Sequence, residues 1–387
     1  MENFEVINPT RIVFGKDQLD RLPILLKDQN VKNILLVYGG GSVKKIGLLD
    51  KVLKKLVDFE LTEFPGVEAN PEYDTLIKGA ELAKEKNIDF ILAIGGGSVI
   101  DGVKFMSGAI NYKGNPWDVL KRKEGCVFTS AVPFGTILTL PATGSEANSG
   151  AVISRKSLKA KLTMGGPLFF PVFSFCDPSL VASLPKRQLA NGIIDAFMHT
   201  LEQYITYPTE NLLQEREAEG ILSTLIEVAN VVDHPSDYKL ASNLMHCATH
   251  ALNGNLRCGV PTDWTTHMIG HELTALFDID HARTLAIIAP RLWERKFTDK
   301  QEKLTQYGKR VWNLEGTNEE IAREAIQKTE MFFHGLGVST KLSEYTSEFK
   351  GAEVIICDLF SERGWTQMGE RKSIDLDDIS AIIQSSF

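Results

Sequence analysis

"LLVYGGGSVKK" (35–45) and "LAIGGGSVIDG" (92–102) are nearly the same phrase written twice. In each, an apolar run of strand character ends on three glycines and a serine, and a helical pattern opens behind them. Glycine lets a backbone approach a phosphate with no Cβ in the way, and the first turn of a helix offers free N–H groups and a partial positive charge. Neither turn is G-x-G-x-x-G, and neither is a Walker A loop, which needs GK[ST]. One such turn by itself reads as a tight βα connection. Two in adjacent βα units of a parallel sheet can line one crevice at the strand ends.

Working outward, "KNILLVY" (32–38), "IDFILAI" (88–94), "SAVPFGTILTLPAT" (130–143) and "PVFSFCDP" (171–178) supply extended runs separated by helical patterns. That alternation predicts a parallel, Rossmann-like α/β sheet. A third polar loop, "TLPATGSEANSGAVI" (139–153), suits contacts to a ribose or nicotinamide, and equally any surface role. Beyond Leu184 strand signals fade. "PKRQLANGIIDAFMHTLEQYI", "LLQEREAEGILSTLIEVANVV", "DYKLASNLMHCATHALNG" and "KLTQYGKRVWNL" carry helical spacing. The expected organisation is an α/β domain over 1–182 and an all-helical domain over 183–387, joined near "DPSLVASLP".

With 387 residues, 43% of them hydrophobic, the chain can bury two cores. A formal charge of -8 and the lack of a basic stripe argue against a nucleic-acid partner. "MENFEVINPT" lacks the charged and apolar regions of a secretory signal, and no apolar run is long enough to span a bilayer. Five cysteines without a close pair read as reduced thiols of a cytoplasmic protein.

The helical half concentrates histidine. "GIIDAFMHTLEQY" places Asp195 and His199 four residues apart, on one helix face. "WTTHMIGHELTAL" repeats that spacing with His267 and His271, and His281 starts the next element after "LFDID". A carboxylate among imidazoles suits Zn²⁺ or Fe²⁺. The bland reading is a surface pair and a hydrogen-bonded pair, and His246 and His250 show how readily the spacing arises. Five candidates are one too many for a catalytic ion that must keep a position open for substrate.

These stretches together resemble the iron-containing, or group III, alcohol dehydrogenases. The resemblance is carried by "FGKDQLDRL", "GGGSVID" (95–101), "LPATGSEAN" (140–148), "DPSL" (177–180), "LPKRQLANGIIDAFMHTLEQY" (184–204) and "THMIGHELTALFDIDHA" (266–282). "YGGGSVKK" and "DWTTHMIGHELTAL" look most similar to the NADPH-dependent butanol dehydrogenase and aldehyde reductase branch. The resemblance implies a dehydroquinate synthase-like architecture and one divalent ion, Fe²⁺ or Zn²⁺, on Asp195, His199, His267 and His281. It leaves His271 facing cofactor and substrate as the catalytic proton carrier. For NADP(H) it implies contacts from Gly39, Gly40, Gly41, Ser42, Lys45, Asn70, Gly95, Gly96, Gly97, Ser98, Asp101, Thr139, Thr143, Asn148, Lys161 and Leu180. It also implies a homodimer acting on a small aldehyde or alcohol such as butanal or butanol.

Preference for NADP(H) is expected from an absence. NAD-preferring relatives often place Asp where this chain has Gly39, and "VYGGGSVKK" contains no acid. The glycines leave room for a 2′-phosphate, Ser42 can donate a hydrogen bond, and Lys44 or Lys45 can supply charge. The alternatives are a sister reaction on glycerol or lactaldehyde with NAD(H), and a nucleotide-binding regulator without chemistry. The complete ligand set speaks against the regulator.

Overall fold

The computed structural model describes residues 1–349 and 351–387. These form two compact units. One comprises 7–185 and 235–249, the other 1–6, 186–234 and 250–387.

The first unit is built on six parallel strands: β1 (Arg11–Phe14), β2 (Asn33–Tyr38), β3 (Glu60–Phe64), β4 (Phe90–Gly95), β5 (Phe134–Leu138) and β8 (Phe173–Cys176). Their order across the sheet is β1-β8-β5-β4-β2-β3, and β6 (Ala151–Arg155) pairs antiparallel with β7 (Ala160–Met164) as a separate hairpin. Both β4 and β5 are buried along their whole length, as expected of parallel strands covered on both faces. Helices α1 (Leu22–Asp28), α2 (Ser42–Lys45), α3 (Leu48–Lys55), α4 (Tyr73–Glu85), α5 (Gly97–Ala109) and α6 (Pro116–Leu120) fill the connections. One core joins Leu26, Leu49 and Val52 to Ile34, Leu36, Ile94 and Phe175 of the sheet.

The strand order creates a crevice. From β2 the chain moves outward to β3, then returns to place β4 on the other side of β2 and continues away through β5. The sheet therefore reverses direction between β2 and β4, and the two glycine turns close those two strands. Ligands of open α/β sheets bind at such a switch point, at the carboxyl ends of the strands.

The second unit is helical: α7 (Lys186–Tyr204), α8 (Leu212–Glu227), α10 (Thr265–Phe277), α11 (His281–Arg295), α12 (Phe297–Val311), α13 (Asn318–Gly335), α14 (Ala352–Glu362) and α15 (Leu376–Ser385). Helix α7 is its buried axis, with every residue from Gly192 to Tyr204 buried. α9 (Tyr238–Ala251) reads as one more helix of this half, yet residues up to Thr249 belong to the sheet unit. There His246 meets the Phe14 ring edge-on, and the Thr249 hydroxyl donates to buried Glu146 at 2.6 Å. No helix among the described residues is long and apolar enough to cross a membrane.

Candidate metal and nucleotide sites

Asp195, His199 and Glu202 project from a helix whose remaining residues in that stretch are almost all apolar. Polar groups buried in such a place must find partners. The Asp195 Oδ1 atom is buried and accepts no hydrogen bond. It stands 3.9 Å from Nε2 of His199, 3.9 Å from Nε2 of His267 and 3.9 Å from Nε2 of His281. Asp195, His267 and His281 offer ligand atoms that all lie within 4.8 Å of one another. His199 joins them through Asp195 and by stacking on His267, with ring centroids 4.6 Å apart. Ligands of one tetrahedral Zn²⁺-sized ion at about 2.1 Å stand about 3.4 Å apart. The 3.9 Å spacing is that geometry opened by a few tenths of an ångström, and one oxygen with three nitrogens suits the donor preference of Zn²⁺ or Fe²⁺.

The local fold explains the convergence. Asp195 and His199 are one turn apart on α7. α10 carries His267 and ends on Asp278 in the left-handed region, φ 56°, and α11 then starts with His281 itself. The two helices approach closely at Gly270, where a Cβ would stand 2.9 Å from the Leu285 side chain and 3.0 Å from Thr284 Oγ1. Thr284 donates to the Gly270 carbonyl at 2.9 Å, locking the crossing that brings His281 to His267. His271 lies beside this group, its ring centroid 4.6 Å from that of His281 and 6.2 Å from that of His267.

Glu202 is the residue sequence reasoning passes over. It follows Asp195 by seven positions and His199 by three, so the helical period places all three on one face. It is buried, its Oε2 meets His267 Nδ1, and its Oε1 accepts from the His267 backbone N–H at 3.2 Å. Burial pushes its carboxyl well above the ordinary range, Asp263 adds to this, and the His267 and Thr266 N–H groups oppose it. Asp263 is fixed in turn: its N–H donates to the Glu202 carbonyl at 2.8 Å and its carboxylate pairs with buried Lys300 at 2.8 Å.

In the sheet unit the glycine turns are made as the residue types imply. Gly41 has φ 111° and precedes α2; Gly96 precedes α5, which Gly97 and Ser98 begin. A Cβ on Gly97 would come within 2.5 Å of Thr143 Oγ1, so the third loop presses directly on this turn. Thr139 donates its N–H to the Gly95 carbonyl at 3.0 Å. Asn70 joins them: its N–H donates to Ser98 Oγ at 3.3 Å, and its Oδ1 accepts from Lys161 at 3.0 Å. Leu180 lies half-buried just after β8, two strands beyond β4.

Asp101 faces inward. Its carboxylate accepts from the Ser145 hydroxyl at 2.6 Å and from the Val152 N–H at 2.9 Å. Fully buried Lys104 donates to Ser145, to Asn148 Oδ1 at 2.9 Å and to the Gly150 carbonyl at 2.7 Å. Burial lowers the Lys104 ammonium to about 8, opposed by Asp101 and Glu146. Through these bonds Asp101 and Asn148, both expected among the cofactor contacts, help to hold the 143–150 loop. On α2, Lys44 lies over the Tyr38 ring at 5.2 Å and 3.9 Å from Glu63, which itself accepts from the Tyr38 hydroxyl. Ser42 and Lys45 are exposed and share the helical spacing of three.

The family description "Iron-containing alcohol dehydrogenase" matches residues 9–178, and "Fe-containing alcohol dehydrogenase family, C-terminal" matches 189–387. The chain is 48% identical over 381 residues to the NADPH-dependent aldehyde reductase YqhD of Escherichia coli, covering 97% of each. A solved structure of that E. coli protein has a TM-score of 0.95 at 46% identity and covers 100% of this chain and 99% of its own. A probable NADH-dependent butanol dehydrogenase of Bacillus subtilis is 40% identical over 392 residues, the full length of both chains.

Proposed function

Because the chain belongs to the iron-containing alcohol dehydrogenase family and is an oxidoreductase of that family, we propose that it interconverts small aldehydes and primary alcohols such as butanal and butanol, with NADP(H) as hydride carrier. The observation that carries the reading is the buried Asp195 oxygen ringed at equal distance by three imidazole Nε2 atoms. Asp195, His199, His267 and His281 would hold one Fe²⁺ or Zn²⁺ ion. When bound, the ion supplies Lewis-acid polarisation of a carbonyl, and the nicotinamide supplies the hydride.

The remaining work falls to the chain. One carboxylate and three imidazoles place a single negative charge around a divalent cation, so net positive charge remains to attract a carbonyl oxygen. His271, one turn beyond His267 and packed beside His281, accepts or returns the alcohol proton at a ring nitrogen. The N–H groups at the start of α5, in the turn Gly96–Ser98, receive the pyrophosphate. Asn70, bonded to Ser98 and held by Lys161, positions the cofactor beyond it.

Purified protein should carry about one divalent ion per chain. It should consume NADPH with butanal, and faster than NADH at equal concentration. No turnover of any aldehyde in a panel by the metal-loaded protein would sink the proposal.

A further inference from the structure

We propose that Glu202 is a positioning residue for the metal site, presenting His267 with its proton on Nδ1 and its Nε2 toward Asp195. This rests on the metal reading above. One carboxylate grips His267 twice: Oε2 on the ring at Nδ1, Oε1 on the backbone N–H at 3.2 Å. The two contacts fix the ring in rotation and leave Nε2 3.9 Å from Asp195 Oδ1; on this proposal the proton between carboxyl and ring rests on Nδ1 once the ion is bound. An imidazole whose Nδ1–H is held by a carboxylate is a stronger donor at Nε2, and removing such a partner typically costs about 10- to 100-fold in metal affinity.

A plainer role competes with this one. His267 lies in the first turn of α10, whose amides have no partner within the helix, and Glu202 also receives the Thr266 N–H. The carboxylate could serve only as a cap supplied from a neighbouring helix. Glu202→Gln separates the two roles. The amide keeps the volume and an oxygen to cap the N–H groups, but it turns an NH₂ donor toward Nδ1. Nδ1 must then accept, the ring proton moves to Nε2, and the nitrogen facing Asp195 is blocked.

The readout is ion affinity by chelator competition with Zn²⁺ alone, without substrate or cofactor. Glu202→Gln should raise the Zn²⁺ dissociation constant about 10- to 100-fold, with metal-free circular dichroism and thermal unfolding close to wild type. An affinity within about twofold of wild type would leave Glu202 a cap and overturn the proposal. Should the variant not fold, ¹⁵N resonances of the Zn²⁺-loaded wild type decide: a His267 Nδ1 without a proton overturns it as well. If wild type itself binds no Zn²⁺, the metal reading falls and takes this inference with it. Equal binding by wild type and Glu202→Gln removes only the inference.

Discussion

The candidate sites of the two units are built from opposite materials. In the helical unit the site is made of side chains: one carboxylate and three imidazoles, delivered by α7, α10 and the first residue of α11. In the sheet unit the candidate site would be made of backbone: glycines, the N–H groups that open α5, and a loop held by Asp101 and Lys104. The first kind of site is lost by removing atoms. The second is lost by adding them. Substitutions that delete a side chain in one unit and insert a side chain in the other should therefore separate metal from nucleotide binding cleanly.

The largest effect belongs to the side-chain site. His281→Ala should remove most bound metal and lower kcat/KM by about three orders of magnitude, the size of several kcal/mol of Lewis-acid stabilisation. His281 begins α11 and is only partly buried, so the fold should persist by circular dichroism. His271→Ala should keep the ion and lose about 10²-fold in turnover, as expected for a general acid–base group. Full activity of His281→Ala after chelation, or metal loss in His271→Ala, would reassign the histidines.

Gly97→Val is the reverse experiment. Its added Cβ would stand 2.5 Å from Thr143 Oγ1 and 2.6 Å from Thr143 Cγ2, so turn and loop must part. NADP(H) binding should weaken by about 10- to 100-fold, equivalent to one or two charge-assisted hydrogen bonds, while metal content stays at the wild-type level. A folded Gly97→Val protein that binds both equally well would break the contrast between the units.

The same contrast governs what is legible in the sequence. The apolar runs closing on glycine mark β2 and β4, because burial of all but the first residue of β2, Asn33, leaves little polar character to blur them. β3, "ELTEF", gives no such signal: it is an edge strand, half exposed and carrying two glutamates. The β6–β7 hairpin hides among lysines for a similar reason. Asp195 and His199 are visible as a pair, but Glu202 on the same face looks like one more solvated glutamate. Its signal is the helix around it, buried and mostly apolar, where a charged residue has to be held by something. α9 is recognisable as a helix, yet periodicity names the element and not the unit it packs against. Its place with the sheet depends on single contacts such as Thr249 to Glu146. Lys44 and Lys45 are indistinguishable in sequence, and the structure separates them because Glu63 arrives from β3 to engage only one.

Gly39→Asp probes cofactor choice at that turn. The position has ordinary backbone geometry, and its Cβ would lie 3.2 Å from the Val67 carbonyl, so an Asp fits with a small shift. It restores an acceptor for a ribose 2′-hydroxyl and repels a 2′-phosphate. The NADPH-to-NADH ratio of kcat/KM should fall by about one to two orders of magnitude. An unchanged ratio, or a wild type that prefers NADH, would remove Gly39 from the specificity site.

The smallest effect tests whether the neighbouring charges act at a distance. Lys44 leans on Tyr38 and faces Glu63, whereas Ser42 and Lys45 are exposed three residues apart on the same short helix. The Tyr38 hydroxyl, first among its neighbours, holds the Lys44 ammonium above its ordinary range. Lys44 on this reading does not touch the cofactor; it compensates the Glu63 carboxylate, whose uncompensated charge would repel a 2′-phosphate through solvent. Lys44→Met should therefore weaken binding of 2′,5′-ADP by only about two- to threefold, the scale of one charge acting across water within a Debye length. Glu63→Gln should tighten it by a similar factor. The double variant should return close to wild type, since the two charges cancel, and 5′-AMP should bind all four proteins alike. Added salt should erase the differences. If Lys44→Met instead loses about tenfold or more and Glu63→Gln does not restore it, Lys44 contacts the phosphate directly. The turn would then be a second side-chain site, and the division between backbone-built and side-chain-built halves would hold only at the Gly96–Ser98 turn.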